Sequence, residues 1–341
     1  MDTYLENFFT LCRQPISYKG ETFTLKVKGG ISRFPQDASN SYDLLVNGYL
    51  AMSNAFRNPN VDYQYFSHEI KNKSDYDFAI EINLQAALTN QEFHLVYQPQ
   101  IELENSQVIG AEALIRWKHE TMGMIPPSKF IPIAERIGFI VSLGYWIIET
   151  AFRELSEIHS ELPDDFRLSI NLSVLQFNDH HLLDFIIQTG ATHHIDFKQI
   201  EIEITETVLM SDIDNVHRTI EAFHRIGISV AIDDFGTGFS SLSYLNKLPI
   251  NKLKVDRTFI CHYPEMDDGK MVSIIADLAR TLDLKVLMEG AETLEQIQLL
   301  RSLGYDYVQG YYYAKPLIKD DFSLYLEKTR KPPLDEKNSH R

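Results

Sequence analysis

The 341 residues carry 32 Lys and Arg against 48 Asp and Glu, a net charge of −16, with 44% hydrophobic and 11% aromatic side chains. That apolar content supports a large core and excludes general disorder, while the acidic balance lacks the basic footprint that binding to long nucleic acid requires. No run reaches the ~18 apolar residues of a membrane span, no basic-then-apolar leader opens the chain, and Cys12 and Cys261 fit no metal spacing, so a reduced cytoplasm is expected.

In chain order, a strand leads into GGISRFP at residue 29, and a helix follows over LLVNGYLAM at 44. From about residue 77, short apolar runs alternate with longer helical stretches. Strands are expected at FHLVYQP (93), VIGAEALIRW (108), FRLSINLS (166) and IEIEITE (200), then at SVAIDDF (229), KLKVD (252), KVLMEG (285) and YVQGYYYA (307). Amphipathic segments such as SKFIPIAERIGFIVSLGYWIIETAFRELSEIH and NVHRTIEAFHRIG lie between them. Eight strands alternating with helices over ~250 residues fit an α/β barrel or a doubly wound sheet. No GxGxxG follows the first strand, as a doubly wound dinucleotide fold would want, so the barrel is favoured. The polar, Pro-interrupted tail at 329–341 is expected to be disordered.

Nearly every one of these strands ends in a polar or charged residue: Gln98, Arg116, Asn171, Glu206, Asp233, Asp234, Asp256, Glu289 and Gln309. In a barrel such ends converge on the face where active sites are built. Strand alternation puts Glu112, Leu114 and Arg116 on one face, and Lys254 with Asp256 on another. A single carboxylate here usually caps the next helix. Adjacent aspartates after the apolar Val230, Ala231 and Ile232 are harder to explain, because they repel and raise each other's pKa. Carboxylates from four strands, with an Asn among them, suit a hard divalent ion such as Mg²⁺ or Mn²⁺. A barrel glycosidase is the alternative from chemistry alone, but it wants two isolated carboxylates and aromatic sugar platforms.

In order and spacing, EALIRW (112), NLS (171), EITE (203), DDFGTGFSSLSYL (233), LKVD (253), EGAET (289) and QGYYYAKP (309) resemble the EAL domain of cyclic-di-GMP phosphodiesterases. The resemblance spans roughly residues 78–320. It implies a TIM-type (β/α)8 barrel with an antiparallel first strand, and hydrolysis of cyclic di-GMP to linear pGpG with two Mg²⁺ or Mn²⁺ ions. It makes Glu112, Asn171, Glu203 and Asp233 ligands of a first ion, with Asp233 bridging to a second held also by Asp234 and Glu289. Lys254, Glu289 and Glu206 become catalytic residues, Lys254 beside the attacking water and Glu206 supporting the loop after Asp234. Gln98, Leu114, Arg116, Asp256, Glu292 and Gln309 become substrate-binding. Met288 and Ala291 stand where Ala and Val are usual, apolar exchanges that leave the ligands intact. A non-catalytic cyclic-di-GMP-binding or protein-interaction module is the runner-up, which the intact ligand set disfavours. The family's tendency to pair implies a homodimer through FSSLSYLNKLP, after the DDFGTG loop.

Residues 25–56 resemble the C-terminal half of a GGDEF domain, with Gly48-Tyr49 in place of its usual Ala-Asp and Phe56 in place of a later Lys. Ile31-Ser32-Arg33 follows Gly29-Gly30 instead of Asp-Glu-Phe, so no cyclase activity is implied. The expected organisation is a partial GGDEF-like α+β piece at 1–70, a linker at 71–77, an EAL domain at 78–328 and the tail.

Overall fold

The computed structural model describes residues 2–58, 60–209, 213–238, 245, 247–265 and 269–330. It divides into two compact units, Met1–Asn83 and Leu84–Arg341. Of the expected pairing segment, residues 239–244 and 246 lie outside the described residues, as does the tail from 331.

In the first unit a helix, Asp2–Cys12, precedes a hairpin of β1 (Ile16–Tyr18) and β2 (Glu21–Phe23). β3 (Gly29–Ile31) pairs in parallel with β4 (Tyr63–Tyr65), and the helix Ser41–Phe56 packs on both. Asn40 starts that helix by accepting the Asp43 N–H at 2.9 Å, which satisfies one orphan donor of the first turn. A Cβ on Gly30 would lie 1.9 Å from the Gly48 carbonyl oxygen, so the helix can approach only over a glycine. The helix buries the small Ala51 and Ala55 and leaves Tyr42, Leu45, Tyr49 and Phe56 exposed. Residues 71–77, the expected linker, lie within a continuous helix, His68–Thr89, with no Gly or Pro to break it.

The second unit is a closed barrel. Its strands are β5 (Phe93–Glu102), β6 (Val108–His119), β8 (Arg167–Leu172), β9 (Ile200–Thr205), β10 (Ser229–Phe235), β11 (Lys252–Val255), β12 (Lys285–Glu289) and β13 (Tyr307–Gln309). A short β7 (Gly123–Ile125) extends β6 outside the ring. The order β5-β13-β12-β11-β10-β9-β8-β6 returns to β5, so the ring closes on itself. Every ring ladder is parallel except those of β5, which runs antiparallel to both β6 and β13. This is the expected TIM-type barrel with its first strand reversed.

Each strand sorts its residues by alternation. On β9, Ile200, Ile202 and Ile204 are buried on the side opposite Glu201 and Glu203. Leu253 and Val255 alternate with Lys252 and Lys254 on β11. Met288 and Ala291 are both fully buried, as expected of apolar packing positions. Two expected elements come out shorter. The long segment after residue 127 divides into Pro127–Arg136 and Ile140–Glu157, because Gly138 takes φ +75° between them. β13 ends at Gln309, where a Cβ on Gly310 would lie 2.1 Å from the Ala291 carbonyl oxygen.

Candidate metal centre and substrate cleft

The C-terminal ends of the parallel strands bring most of the expected side chains into contact. Lys254, fully buried at the centre, is the hub. Its Nζ lies 2.6 Å from Glu203 Oε2, 2.8 Å from Glu289 Oε1, 3.1 Å from Asp233 Oδ1 and 3.4 Å from Glu112 Oε2. Glu112 also accepts a 2.6 Å bond from Asn171 Nδ2 and another of 2.6 Å from Gln309 Nε2, which reaches on to Gln98 Oε1 at 3.2 Å.

Two adjacent strand residues should point to opposite faces, yet Asp233 and Asp234 both join the site. The ladder between β10 and β11 explains this. Ile232 pairs with Leu253 and Phe235 with Val255, so one extra residue is inserted where the aspartates sit. Asp234 takes φ +53°, a left-handed conformation that Asp tolerates better than most residues. The bulge re-aims its carboxylate, as bulges beside active sites do. Glu206 holds the chain beyond it by accepting the Gly236 N–H at 2.7 Å.

The carboxylates form two groups whose oxygens lie within 4.8 Å of one another: Glu112, Glu203 and Asp233, and Asp233, Asp234 and Glu289. Asp233 belongs to both. The electrostatics are out of balance, with one ammonium facing four carboxylates. Burial opposes the charge of Lys254, but the surrounding Asp233, Glu112, Glu203 and Glu289 outweigh it and hold the ammonium well above its usual range. Burial drives Glu203 well above the carboxylate range, with Glu112 and Asp233 adding to it against Lys254. Burial likewise pushes Glu289 up to about 8, and it raises Asp234 beside Asp233. Glu112 goes the other way: burial is outweighed by Lys254 and by the donors of Gln309 and Asn171.

Buried Glu203 Oε1 has no hydrogen-bond partner among the described residues, and Asp233 Oδ1 lies near Lys254 without the direction a hydrogen bond needs. Uncompensated buried carboxylate oxygens are costly, and an all-oxygen donor set of this kind fits hard divalent cations. The residues present therefore fit divalent metal.

A cleft of about 310 Å³ opens above the clusters. Of the expected substrate-binding residues, Gln98, Leu114, Asp256, Glu292 and Gln309 line it. Half-buried Arg116 does not, although its charge is felt by Glu112 and Tyr311, both on the cleft wall. The Asp256 carboxylate is already engaged, accepting the Thr258 N–H at 3.0 Å. Arg257 and Tyr311 also line the cleft and were not singled out from sequence. Their signal was position alone, each standing one or two residues beyond a recognised strand end.

The comparisons agree with this geometry. Residues 82–316 match the family model described as EAL domain. The chain is 33% identical over 316 residues to the bifunctional diguanylate cyclase/cyclic di-GMP phosphodiesterase MucR of Pseudomonas aeruginosa, covering 92% of this chain and 46% of that protein. It is 33% identical to the cyclic di-GMP phosphodiesterase NbdA of the same organism, over 96% of this chain and 42% of NbdA. The chain thus spans less than half the length of these relatives. Among solved structures, a c-di-GMP complex of PaMucR phosphodiesterase superposes with a TM-score of 0.69 at 36% identity, over 72% of this chain and 99% of that one. The reversed first strand, the carboxylates at the strand ends and the matched length lead to one assignment: the chain belongs to the EAL domain family.

Proposed function

We propose that the chain hydrolyses cyclic di-GMP to linear pGpG at this face. The observation that carries the reading is Asp233, shared by two carboxylate groups at the strand ends. Water adds to one phosphorus, the bond from that phosphorus to the 3′ oxygen breaks, and the water's proton ends on the leaving oxygen, giving a 5′-phosphate and a 3′-hydroxyl. Glu112, Asn171, Glu203 and Asp233 would hold one Mg²⁺ or Mn²⁺, and Asp233, Asp234 and Glu289 a second. Such a pair acidifies water and stabilises both in-line oxygens.

The chain's own residues do the rest. Lys254 gathers the carboxylates and stands beside the attacking water. Glu206 fixes the backbone after Asp234. Gln309, backed by Gln98, orients Glu112, and both border the cleft with Leu114. Arg116, set back from the cleft wall, would extend to answer a phosphate, and Asp256 and Glu292 offer acceptors to guanine. Incubation with cyclic di-GMP and Mg²⁺, followed by chromatography, should yield pGpG, and EDTA should abolish it. Binding without product would favour a non-catalytic cyclic-di-GMP module. Neither binding nor product would overturn the reading.

The wider setting is part of the same proposal. The helix Ser41–Phe56 over β3 supports a GGDEF-like origin for residues 1–70, with the EAL domain at 78–328. No helix among the described residues is long and apolar enough to cross a membrane, in keeping with a cytoplasmic enzyme. A homodimer through the segment after the DDFGTG loop is expected, and a monomeric mass at all concentrations with full activity would overturn it.

A further inference from the structure

Beneath the metal centre lies a second polar layer that the proposed chemistry does not use. Lys252 Nζ donates to Glu201 Oε1 at 2.7 Å and to Gln100 Oε1 at 3.5 Å, and it sits 5.2 Å from the centre of the Tyr307 ring. Ser169 Oγ donates to the same Glu201 oxygen at 2.9 Å and accepts from Gln100 Nε2 at 3.3 Å. Gln100, Ser169 and Glu201 are fully buried, Lys252 is 2% exposed, and none of their buried polar atoms lacks a hydrogen bond.

Every member stands two residues from a member of the site: Gln100 from Gln98, Ser169 from Asn171, Glu201 from Glu203, Lys252 from Lys254. Two residues along a strand is one step on the same face, about 7 Å. The layer ties β5, β8, β9 and β11 together through side chains. β9 and β11 are not neighbours, since β10 lies between them, so no backbone bond sets their spacing directly.

Stability alone is a weak reason for this arrangement. A buried ion pair can usually be replaced by apolar residues of similar volume at little loss. What apolar residues cannot supply is direction, since hydrogen bonds fix angles and van der Waals contacts do not. We propose that Lys252 and Glu201, bridged by Ser169 and Gln100, form a positioning layer that sets the spacing of Glu203, Asn171 and Lys254 for metal binding. This rests on the metal reading above and extends it to residues that touch neither metal nor substrate.

The test removes the pair without changing net charge. Lys252→Met combined with Glu201→Gln deletes one positive and one negative charge, so altered affinity for a cation reports geometry. Calorimetric titration with Mn²⁺ alone should show roughly tenfold weaker binding, the loss typical of residues that orient metal ligands. Ser169→Ala, which removes only the bridging hydroxyl, should weaken Mn²⁺ severalfold and decides the question if the double variant does not fold. Wild-type Mn²⁺ affinity in the folded variants, even with a lowered metal-free melting temperature, would reduce the layer to a structural role and overturn the proposal. Failure of the unaltered protein to bind Mn²⁺ would overturn the metal centre itself.

Discussion

The two polar layers of the barrel both pair a lysine from β11 with a glutamate from β9, and they solve opposite problems. In the lower one, a lysine from β11 meets a glutamate from β9, a serine and a glutamine complete their hydrogen bonds, and the charge sums to zero. In the upper one, Lys254 makes the equivalent reach to Glu203 at 2.6 Å, but Glu112, Asp233 and Glu289 crowd the same ammonium. The lower layer is closed and the upper is left short of positive charge. A fold can thus carry a self-compensated buried charge pair and, one step along the same strands, a carboxylate cluster left short of positive charge.

The largest change should come from the residue the two upper clusters share. Asp233→Asn takes the negative charge and one coordinating oxygen from the group the two clusters share, and should lower turnover at saturating Mg²⁺ by about a thousandfold or more. Near-normal pGpG production by that variant would sink the two-ion assignment.

Lys254→Ala should separate the layers differently. Without metal it leaves several buried carboxylates facing one another, at a cost of about 3 kcal/mol or more, seen as a lower melting temperature that Mg²⁺ largely restores. With Mg²⁺ saturating, turnover should fall while cyclic-di-GMP affinity changes little, because Arg116 and the metal ligands remain. An unchanged metal-free melting temperature would contradict the hub role.

The upper layer should also make metal-free stability depend on pH. The folded pKa of Glu289 is raised to about 8 from the ordinary 4.5, so between those values the folded state holds a proton the unfolded state has lost. Stability is therefore fully present below about pH 4.5 and declines as pH rises towards 8, by about 1.4 kcal/mol per unit for one such group. Glu203, also raised, acts in the same direction. Glu112, lowered, loses its contribution only below pH 4.5 and so leaves this window alone. Melting temperatures with EDTA from pH 5 to 8 should fall, and Mg²⁺ should stabilise more at pH 8 than at pH 6. A flat EDTA profile would count against the buried carboxylates.

The smallest effect belongs to the edge of the lower layer. Ser229 Oγ shares its one proton between the Ile200 carbonyl oxygen at 3.3 Å and Glu201 Oε2 at 3.5 Å, two weak contacts, and Ser229→Ala should shift the melting temperature by about 2 °C or less. A large shift would mean that the lower layer is less self-sufficient than its hydrogen bonds indicate.

Much of this was legible in the sequence, because strands buried on both faces announce themselves as apolar runs and the polar residues closing them stand out. Glu112, Asn171, Glu203, Asp233 and Lys254 are visible in that way. The bulge was not. Adjacent aspartates reveal a conflict, but only the register change after Ile232 shows both side chains turned into one site. The lower layer was hidden for another reason: IEIEITE and KLKVD place Glu201 with Glu203 and Lys252 with Lys254 on shared faces, yet alternation cannot say which lysine meets which glutamate across a third strand. Arg116 shows the converse limit, since sharing a face with Glu112 did not bring it to the cleft wall.

The reversed direction of β5 has a mechanical consequence. Its ladder with β6 begins at Phe93 opposite Trp117 and passes through His94, Leu95, Val96 and Tyr97 before Gln98 meets Glu112. In an all-parallel barrel the first strand would start at the far rim, and a load on the preceding chain would have to travel the strand's length to reach the active face. Here the chain enters at the rim that carries the site. Tension at residue 92 would peel the barrel from that rim, and Gln98 would part from its place opposite Glu112 while the ladder at Gln100 still held.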